Sequence, residues 1–224
     1  MRWSQVVETL TFTADDGTRL EGELRLPDQP ARGSAVLCHP HPQHGGSKDH
    51  PILWALRNEL AGAHGLAVLG FNFRGIMGSQ GTYGGGHDEL RDVRAAIERV
   101  RTEAKDRPTV VCGWSFGANV ALREAIDDER VAALVLIGVP LQPKDLTLPA
   151  LPPPPELRRF RTPVLVLAGD NDEYCPADEA RAFSAELPDG RAAILAGTNH
   201  YLWRREREAA GLAGEFVDEI LGRP

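Results

Sequence analysis

Residues 109–117 read TVVCGWSFG and join a predicted buried strand to a predicted helix. Residues 109–112 form a short apolar run, and residues 117–126 have a helical pattern. Between them, Gly113 and Gly117 enclose Ser115 in a G-x-S-x-G motif, which is typical of a serine on a sharp strand-to-helix turn. Flanking glycines leave room for neighbouring backbone to approach such a turn. The motif therefore predicts that Ser115 projects above a sheet as a nucleophile.

The strand-to-helix pattern of this motif recurs along the chain. Short apolar runs are typical of strands that are covered on both faces, and amphipathic stretches between them are typical of surface helices. The predicted strands of this kind are residues 35–38, 66–69, 109–112, 133–137, 164–167 and 191–195, and the predicted helices are 51–63, 88–104, 117–126, 177–187 and 203–221. Pro51 is placed at the start of its helix, with Asp49 as the expected cap.

These elements predict one α/β domain over residues 1–224. Residues 6–12 and 19–27 alternate in polarity around a turn-rich segment and predict an antiparallel hairpin at the N-terminus. The rest favours a doubly wound, mostly parallel sheet with helices on both faces and its ligand site beyond the carboxyl ends of the strands. Residues 140–160 are too few for a large cap, and the proline-rich part, 148–155, indicates a stiff surface connection.

Composition and charge exclude several classes of protein. The chain has 25 basic and 32 acidic residues, a net charge of −7, which argues against a nucleic-acid partner. The longest apolar stretch, residues 131–139, is too short to span a membrane, and residues 1–26 lack the apolar run of a signal peptide. Three cysteines without disulfide spacing favour a reducing, cytoplasmic location. The sequence does not determine the oligomeric state, and a homodimer is one alternative.

Two later loops carry the partners that a serine nucleophile requires. A serine hydroxyl needs a base within hydrogen-bond reach and a group that orients this base. The sequence GDND at residues 169–172 follows one predicted strand, and GTNH at residues 197–200 follows the next. Ser115, Asp172 and His200 thus occur in the chain order that accompanies this motif, with Asp170 as the alternative acid.

The transition state of acyl transfer also needs two backbone N–H groups aimed at the developing oxyanion. One is predicted to be that of Phe116, directly after the nucleophile. The other is expected in the loop at residues 39–46, which reads HPHPQHGG. Because Pro40 and Pro42 have no N–H, His41 is the predicted second donor.

The histidines of this region also raise a metal site as an alternative. Its ligands would be His39, His41, His44 and His50. A proline between the first two limits their convergence, and no cysteine or carboxylate follows at a ligand spacing. We therefore expect no metal and no cofactor, with His39 bracing the loop through hydrogen bonds.

Four segments together resemble a known family. They are residues 39–46, the FNFRG segment at 71–75, the motif at 113–117 and GTNH at 197–200. They resemble the small bacterial α/β-hydrolases, and dienelactone-hydrolase-like serine esterases in particular. The resemblance covers roughly residues 33–202 and implies the α/β-hydrolase fold, a glycine-rich loop at residues 78–86 and a helix that starts near Glu89. It also favours Asp172 over Asp170, because the family has a proline four positions after the acid, as Pro176 is here.

The chain departs from the family at two places. Dienelactone hydrolases proper use a cysteine nucleophile where this chain has Ser115, so their particular lactone chemistry is not implied. Relatives also tend to have a small residue at Met77, which predicts a changed pocket wall shaped by Met77 and Trp114, with His39 as a third pocket residue. Asn72 and Arg74, at the end of a predicted strand, are expected to hold loops together rather than to bind substrate.

The predicted function is that of a serine hydrolase of the carboxylesterase type. It would act on small acyl esters or thioesters through an acyl-enzyme, without nucleic acid or membrane as partner. Short acyl chains are expected because little apolar surface is available to cover a long chain. The alternatives are a peptidase or an acyltransferase with the same triad, and a non-catalytic binding protein that keeps the fold.

Overall fold

An eight-stranded sheet forms the centre of the molecule. The computed structural model describes residues 6–223, so residues 1–5 and Pro224 of the expected domain lie outside the described part. The strands are β1 Val6–Thr13, β2 Arg19–Leu26, β3 Gly33–Cys38, β4 Leu66–Phe71, β5 Thr109–Trp114, β6 Val131–Ile137, β7 Val164–Gly169 and β8 Gly190–Leu195. Their order across the sheet is β1-β2-β4-β3-β5-β6-β7-β8.

The first two strands form the antiparallel hairpin expected from their alternating pattern. Their register runs from Val6 opposite Leu26 to Thr13 opposite Arg19. In the turn, the side chain of Asp16 accepts a hydrogen bond of 3.0 Å from the Thr18 N–H. Strand β2 also pairs antiparallel with β4, whereas the remaining neighbours are all parallel. The hairpin therefore extends one end of an otherwise parallel sheet.

Helices cover both faces of this sheet. Helices α1 and α6 pack on one face, and α2, α3 and α5 pack on the other together with the short α4. Every residue of β3, β4, β5 and β7 is buried, which explains their continuous apolar runs. The bounds are α1 Pro51–Gly62, α2 Glu89–Arg101, α3 Phe116–Ala125, α4 Pro154–Leu157, α5 Ala177–Ala185 and α6 Glu206–Leu221. The fold class predicted from the sequence is confirmed.

Within residues 6–223, no helix combines the length and the apolar character that crossing a membrane requires.

The cap of α1 and the start of α6 differ from the prediction. Helix α1 is capped by His50, whose Nδ1 accepts from the Ile52 N–H at 3.4 Å, so the expectation of an Asp49 cap is wrong. The Asp49 carboxylate instead pairs with Lys48 at 2.8 Å. Helix α6 begins at Glu206 and not at residue 203, because Leu202 and Arg204 both have positive φ angles, which no α-helix contains.

The connection between β6 and β7 contains one helical turn that the sequence did not predict. Two prolines open α4, at the positions where a missing N–H costs no helical hydrogen bond. Leu157, at the end of this turn, is buried against the core, and the carbonyl of Pro149 accepts from Asn119 in α3 at 3.0 Å. The proline-rich segment is therefore tied to the body of the protein.

Candidate active site

Ser115 lies on a strained turn between β5 and α3. Its φ and ψ are 55° and −118°, a conformation that non-glycine residues rarely adopt. A Cβ at Gly113 would overlap the carbonyl of Gly117, and one at Gly117 would overlap the carbonyl of Cys38. Both glycines are therefore required by close backbone packing, and the turn directs the serine side chain away from the sheet.

His200 lies between Ser115 and Asp172. Its Nε2 is 2.9 Å from the Ser115 Oγ, and its Nδ1 is 3.0 Å from both carboxylate oxygens of Asp172. All three residues are more than nine-tenths buried. Each follows the carboxyl end of a strand: β5 for the serine, β7 for the aspartate and β8 for the histidine. The loops after three parallel strands of one sheet, with β6 between β5 and β7, thus bring together residues that are far apart in the chain.

The two acidic residues of the β7 loop have different environments. The carboxylate of Asp172 accepts from the backbone N–H groups of Tyr174 and Cys175, at 2.9 and 3.0 Å, in addition to its contact with His200. Asp170 is exposed and accepts from the Thr198 N–H at 3.2 Å, so it joins the β7 loop to the β8 loop without reaching the imidazole. The hydrogen bonds from Tyr174 and Cys175 hold the Asp172 carboxylate in the orientation that its contact with His200 requires.

Gly138, directly after β6, leaves the space that this pair occupies. Its φ is +53°, and a Cβ there would lie 3.0 Å from two atoms of the His200 ring and 3.1 Å from Asp172. Any larger residue would push against the contact between the imidazole and the carboxylate.

The loop after β3 is held by two imidazoles that bond to backbone. His39 is fully buried; its Nδ1 donates to the Pro40 carbonyl at 2.7 Å, and its Nε2 accepts from the Phe73 N–H at 3.0 Å. The Nδ1 of His41 accepts from the Gln43 N–H at 3.2 Å. Its Nε2 therefore carries the proton and donates to the Tyr83 hydroxyl at 3.2 Å. Burial lowers the pKa of both imidazoles to about 4, which keeps them neutral near pH 7.

The backbone N–H groups of Phe116, the first residue of α3, and of His41 lie near Ser115 and have no acceptor among the described residues. A helix N-terminus also contributes a partial positive charge at this position. These are the two donors that the sequence analysis predicted for an oxyanion.

An open cleft of about 90 Å³ adjoins Ser115 and His200. Trp114 lines it, as predicted, and donates from Nε1 to the His200 carbonyl at 3.1 Å. The other two predicted pocket residues do not line it. Met77 is 77% exposed on a turn of positive φ, and His39 is buried behind the loop. The lining consists of Pro40, His41, His44, Gly45, Gly46, His50, Trp114, Ser115, Leu146, Tyr174, His200 and Tyr201.

Several residues of this lining were not predicted from the sequence. Tyr174 and Tyr201 follow Asp172 and His200 closely in the chain, and this proximity is the signal that could have found them. His50 was considered only as a metal ligand. Leu146 lies in the loop after β6, and no local pattern connects it to Ser115.

The residues at the end of β4 support loops, as expected. Asn72 accepts from the Lys48 N–H and donates to Glu21, both at 2.8 Å. Arg74 is buried and pairs with Asp92 at 2.7 Å and with Asp16 at 2.9 Å. No three His, Cys, Asp or Glu side chains within residues 6–223 form a group that could hold a metal ion.

One family model and a curated relative each match most of this chain. The model of the alpha/beta hydrolase domain matches residues 34–218 of this chain. An uncharacterized protein of Mycobacterium tuberculosis is 32% identical over 212 residues, which cover 87% of this chain and 71% of that protein.

Two solved structures are similar over nearly the whole chain. An α/β serine hydrolase without lid from Xanthomonas campestris is 26% identical, with a TM-score of 0.80 and coverage of 97% of this chain and 96% of that one. An alpha-beta serine hydrolase homologue from Coxiella burnetii is also 26% identical, with a TM-score of 0.81 and coverage of 94% and 97%.

Proposed function

Because this chain belongs to the α/β-hydrolase family, we propose that it is a serine hydrolase with Ser115 as nucleophile, His200 as general base and Asp172 as orienting acid. The observation that carries the proposal is the imidazole of His200, which lies within hydrogen-bond distance of the hydroxyl on one side and of the carboxylate on the other. The substrates are short-chain acyl esters or thioesters, and the reaction needs no cofactor.

The first half of the reaction transfers the acyl group to the enzyme. Ser115 gives its proton to the Nε2 of His200 while its Oγ forms a bond to the acyl carbon. The N–H groups of Phe116 and His41 stabilise the negative charge that develops on the carbonyl oxygen. Collapse of this intermediate breaks the bond to the alcohol or thiol, which leaves with the proton from His200.

The second half repeats these steps with water as the nucleophile. His200 takes a proton from water, whose oxygen attacks the acyl carbon, and the same two N–H groups stabilise the oxyanion. The bond to Ser115 then breaks, the serine regains its proton from His200, and the carboxylic acid is released. Throughout both halves, Asp172 stabilises the imidazolium without taking up a proton.

Covalent labelling tests the role of Ser115. We expect a fluorophosphonate to label the wild-type protein and not Ser115→Ala, because the reagent reacts with activated serine hydroxyls. Turnover of a short ester should fall on the order of a millionfold in Ser115→Ala or His200→Ala, and less in Asp172→Asn. Ser184→Ala, in helix α5 and outside the cleft, is the matched control and should keep both labelling and turnover. Near-normal turnover of Ser115→Ala would refute the proposal.

The length of the acyl chain tests the substrate class. The connection between β6 and β7 holds only the one-turn helix α4, and the Xanthomonas campestris relative is a serine hydrolase without a lid. We expect kcat/KM for p-nitrophenyl esters to be highest with acetate or butanoate and about tenfold lower with dodecanoate, because little apolar surface can cover a long chain. A rising kcat/KM with chain length would contradict this expectation. Butanoyl thioester and butanoyl amide in the same assay separate thioesterase and peptidase activities.

A further inference from the structure

Aromatic rings make up most of the cleft wall beside His200. The ring centroids of Tyr174, Tyr201 and Trp114 lie 4.8, 5.9 and 5.9 Å from that of His200. Trp114 also contacts Tyr201 edge-on, with centroids 6.1 Å apart. Among the described lining residues, aliphatic groups come only from Leu146 and Pro40. The space next to the base is therefore bordered by flat surfaces on several sides.

The described part of this wall lacks acidic side chains and strongly basic ones. The described lining contains no Lys, Arg, Asp or Glu. Burial lowers the pKa of His50 and of His41 to about 4, so both rings are neutral. A charged substrate group would have to leave water without an oppositely charged partner, which is unfavourable. The absence of acidic and strongly basic side chains from the described lining favours an uncharged group in this space.

The two tyrosines are held in place before any substrate binds. The carbonyl of Tyr174 accepts from the N–H groups of Leu141 and Gln142, both at 2.9 Å, and its hydroxyl donates to Asp145 at 3.1 Å. Tyr201 stacks on Trp203 with centroids 5.8 Å apart and an interplanar angle of 25°. Side chains fixed in this way lose little further entropy when a ligand binds.

The chemistry of the site assigns the aromatic wall to the leaving group. His200 protonates the oxygen that departs with the alcohol, so the alcohol must lie next to this imidazole when the C–O bond breaks. The acyl oxygen instead points to the N–H groups of Phe116 and His41. Tyr174, Tyr201 and Trp114 surround the imidazole, and they therefore border the alcohol and not the acyl group.

We propose that this cleft selects esters whose alcohol carries an uncharged aromatic ring next to the ester oxygen, as in a benzyl ester. The inference rests on the proposed function, because it places the ring relative to Ser115 and His200. In the reaction, the bond between the acyl carbon and the benzyl oxygen breaks, this oxygen takes the proton from His200, and benzyl alcohol leaves. Ring-to-ring contacts with Tyr174 and Tyr201 stabilise this arrangement.

Benzyl acetate and cyclohexylmethyl acetate form a matched pair for the test. They share the acyl group and the carbon skeleton and differ in whether the ring is flat and aromatic. Each kcat/KM is divided by the rate constant of hydroxide-catalysed hydrolysis of the same ester, which removes differences in intrinsic reactivity. We expect a corrected preference of about tenfold for benzyl acetate, equivalent to about 1.4 kcal/mol. A corrected ratio of one or less would overturn the proposal.

Two variants locate the preference in the cleft. Tyr201→Leu removes a ring that is 47% exposed, so folding should not depend on it, and the ratio should fall to about threefold or less. Trp54→Leu removes an equally exposed ring, 49%, from outside the cleft and should keep the wild-type ratio. An unchanged ratio in Tyr201→Leu would contradict the proposed wall.

Further substrates and a binding assay separate this inference from the proposed function. Methyl phenylacetate and methyl cyclohexylacetate form a second pair, in which the ring is on the acyl side. If this pair shows the aromatic preference and the acetate pair does not, the ring binds on the acyl side and the proposal is wrong.

Calorimetric titration of Ser115→Ala with N-benzylacetamide and N-(cyclohexylmethyl)acetamide measures binding without turnover. Tighter binding of the benzyl compound to Ser115→Ala, together with no hydrolysis of any ester by the wild-type protein, would support the aromatic cleft and refute the proposed hydrolase function. Hydrolysis of both acetates by the wild-type protein at equal corrected rates would support the proposed hydrolase function and refute the aromatic preference.

Discussion

Ser115 has an unfavourable backbone conformation that the surrounding structure enforces. Holding a residue with a Cβ at a φ of 55° and a ψ of −118° lowers the free energy of unfolding by about 1–3 kcal/mol. The conformation persists because β5 is paired within the sheet and α3 packs against it, so both ends of the turn are fixed. The strain orients the hydroxyl toward His200, so stability is lost at the position where chemistry is proposed.

This strain predicts an inverted order of stability for two substitutions. We expect Ser115→Gly to have a free energy of unfolding about 1–2 kcal/mol higher than Ser115→Ala, because glycine adopts this conformation without a steric penalty. Urea denaturation measures the difference. At Ser184, within helix α5, the same pair should show the ordinary order, with alanine about 1 kcal/mol more stable than glycine. Higher stability of alanine at both positions would mean that Ser115 is unstrained.

The loop after β3 and the start of α3 meet at the nucleophile. Within residues 39–46, Pro40 and Pro42 have no N–H, the Gln43 N–H bonds to the His41 imidazole, and the N–H of His41 has no acceptor among the described residues. Gly46 allows the loop to turn back on itself, since a Cβ there would overlap the Pro40 carbonyl. The element therefore presents a backbone donor whose direction is fixed.

A comparison of two variants of His41 separates its N–H from its imidazole. Its φ of −51° lies near the value that proline imposes, so His41→Pro can keep the loop conformation while removing the N–H. His41→Ala removes the side chain and keeps the N–H. We expect kcat for a short ester to fall about 100-fold to 1000-fold further in His41→Pro than in His41→Ala, as for the loss of one oxyanion donor. Equal values of kcat would exclude this N–H as an oxyanion donor.

The sheet as a whole decides which loops come together. Ser115 and His200 are 85 residues apart in sequence, and His200 and Asp172 are 28 apart, yet all three follow parallel strands of one sheet, β5, β7 and β8. Their loops emerge at the same edge because parallel strands share a direction. Buried polar groups, such as the neutral His39 that links the β3 loop to the end of β4, hold these loops in register.

The buried His39 makes the stability of the whole molecule depend on pH. Burial lowers its pKa from 6.5 to about 4, so between these pH values the unfolded chain binds more protons and the free energy of unfolding falls as the pH falls. The contribution is fully present above pH 6.5, and about 2 kcal/mol of it is lost between pH 7.5 and pH 5. Urea denaturation at both pH values should therefore show a loss about 2 kcal/mol smaller in His39→Gln, whose Oε1 can still accept from Phe73.

An equal pH dependence in the wild type and in His39→Gln would show that this imidazole is protonated to the same extent in the folded and unfolded states.

Local patterns in the chain were sufficient for the fold class and for most elements. Strands with two buried faces need continuous apolar runs, and surface helices need one apolar face. Both patterns can therefore be recognised within a short stretch of sequence. The G-x-S-x-G turn and the later GDND and GTNH loops are likewise local, and the sheet brings Ser115, Asp172 and His200 together as their chain order predicted.

The tertiary structure alone decided where side chains point. Asp170 and Asp172 lie two residues apart in one loop, and only backbone dihedrals and the N–H donors of Tyr174 and Cys175 direct the second toward His200. The same holds for Met77, which turns to solvent, and for Leu146 and Tyr201, which join the cleft from separate loops. Loop directions depend on packing between distant segments, and that information does not lie in any short stretch of sequence.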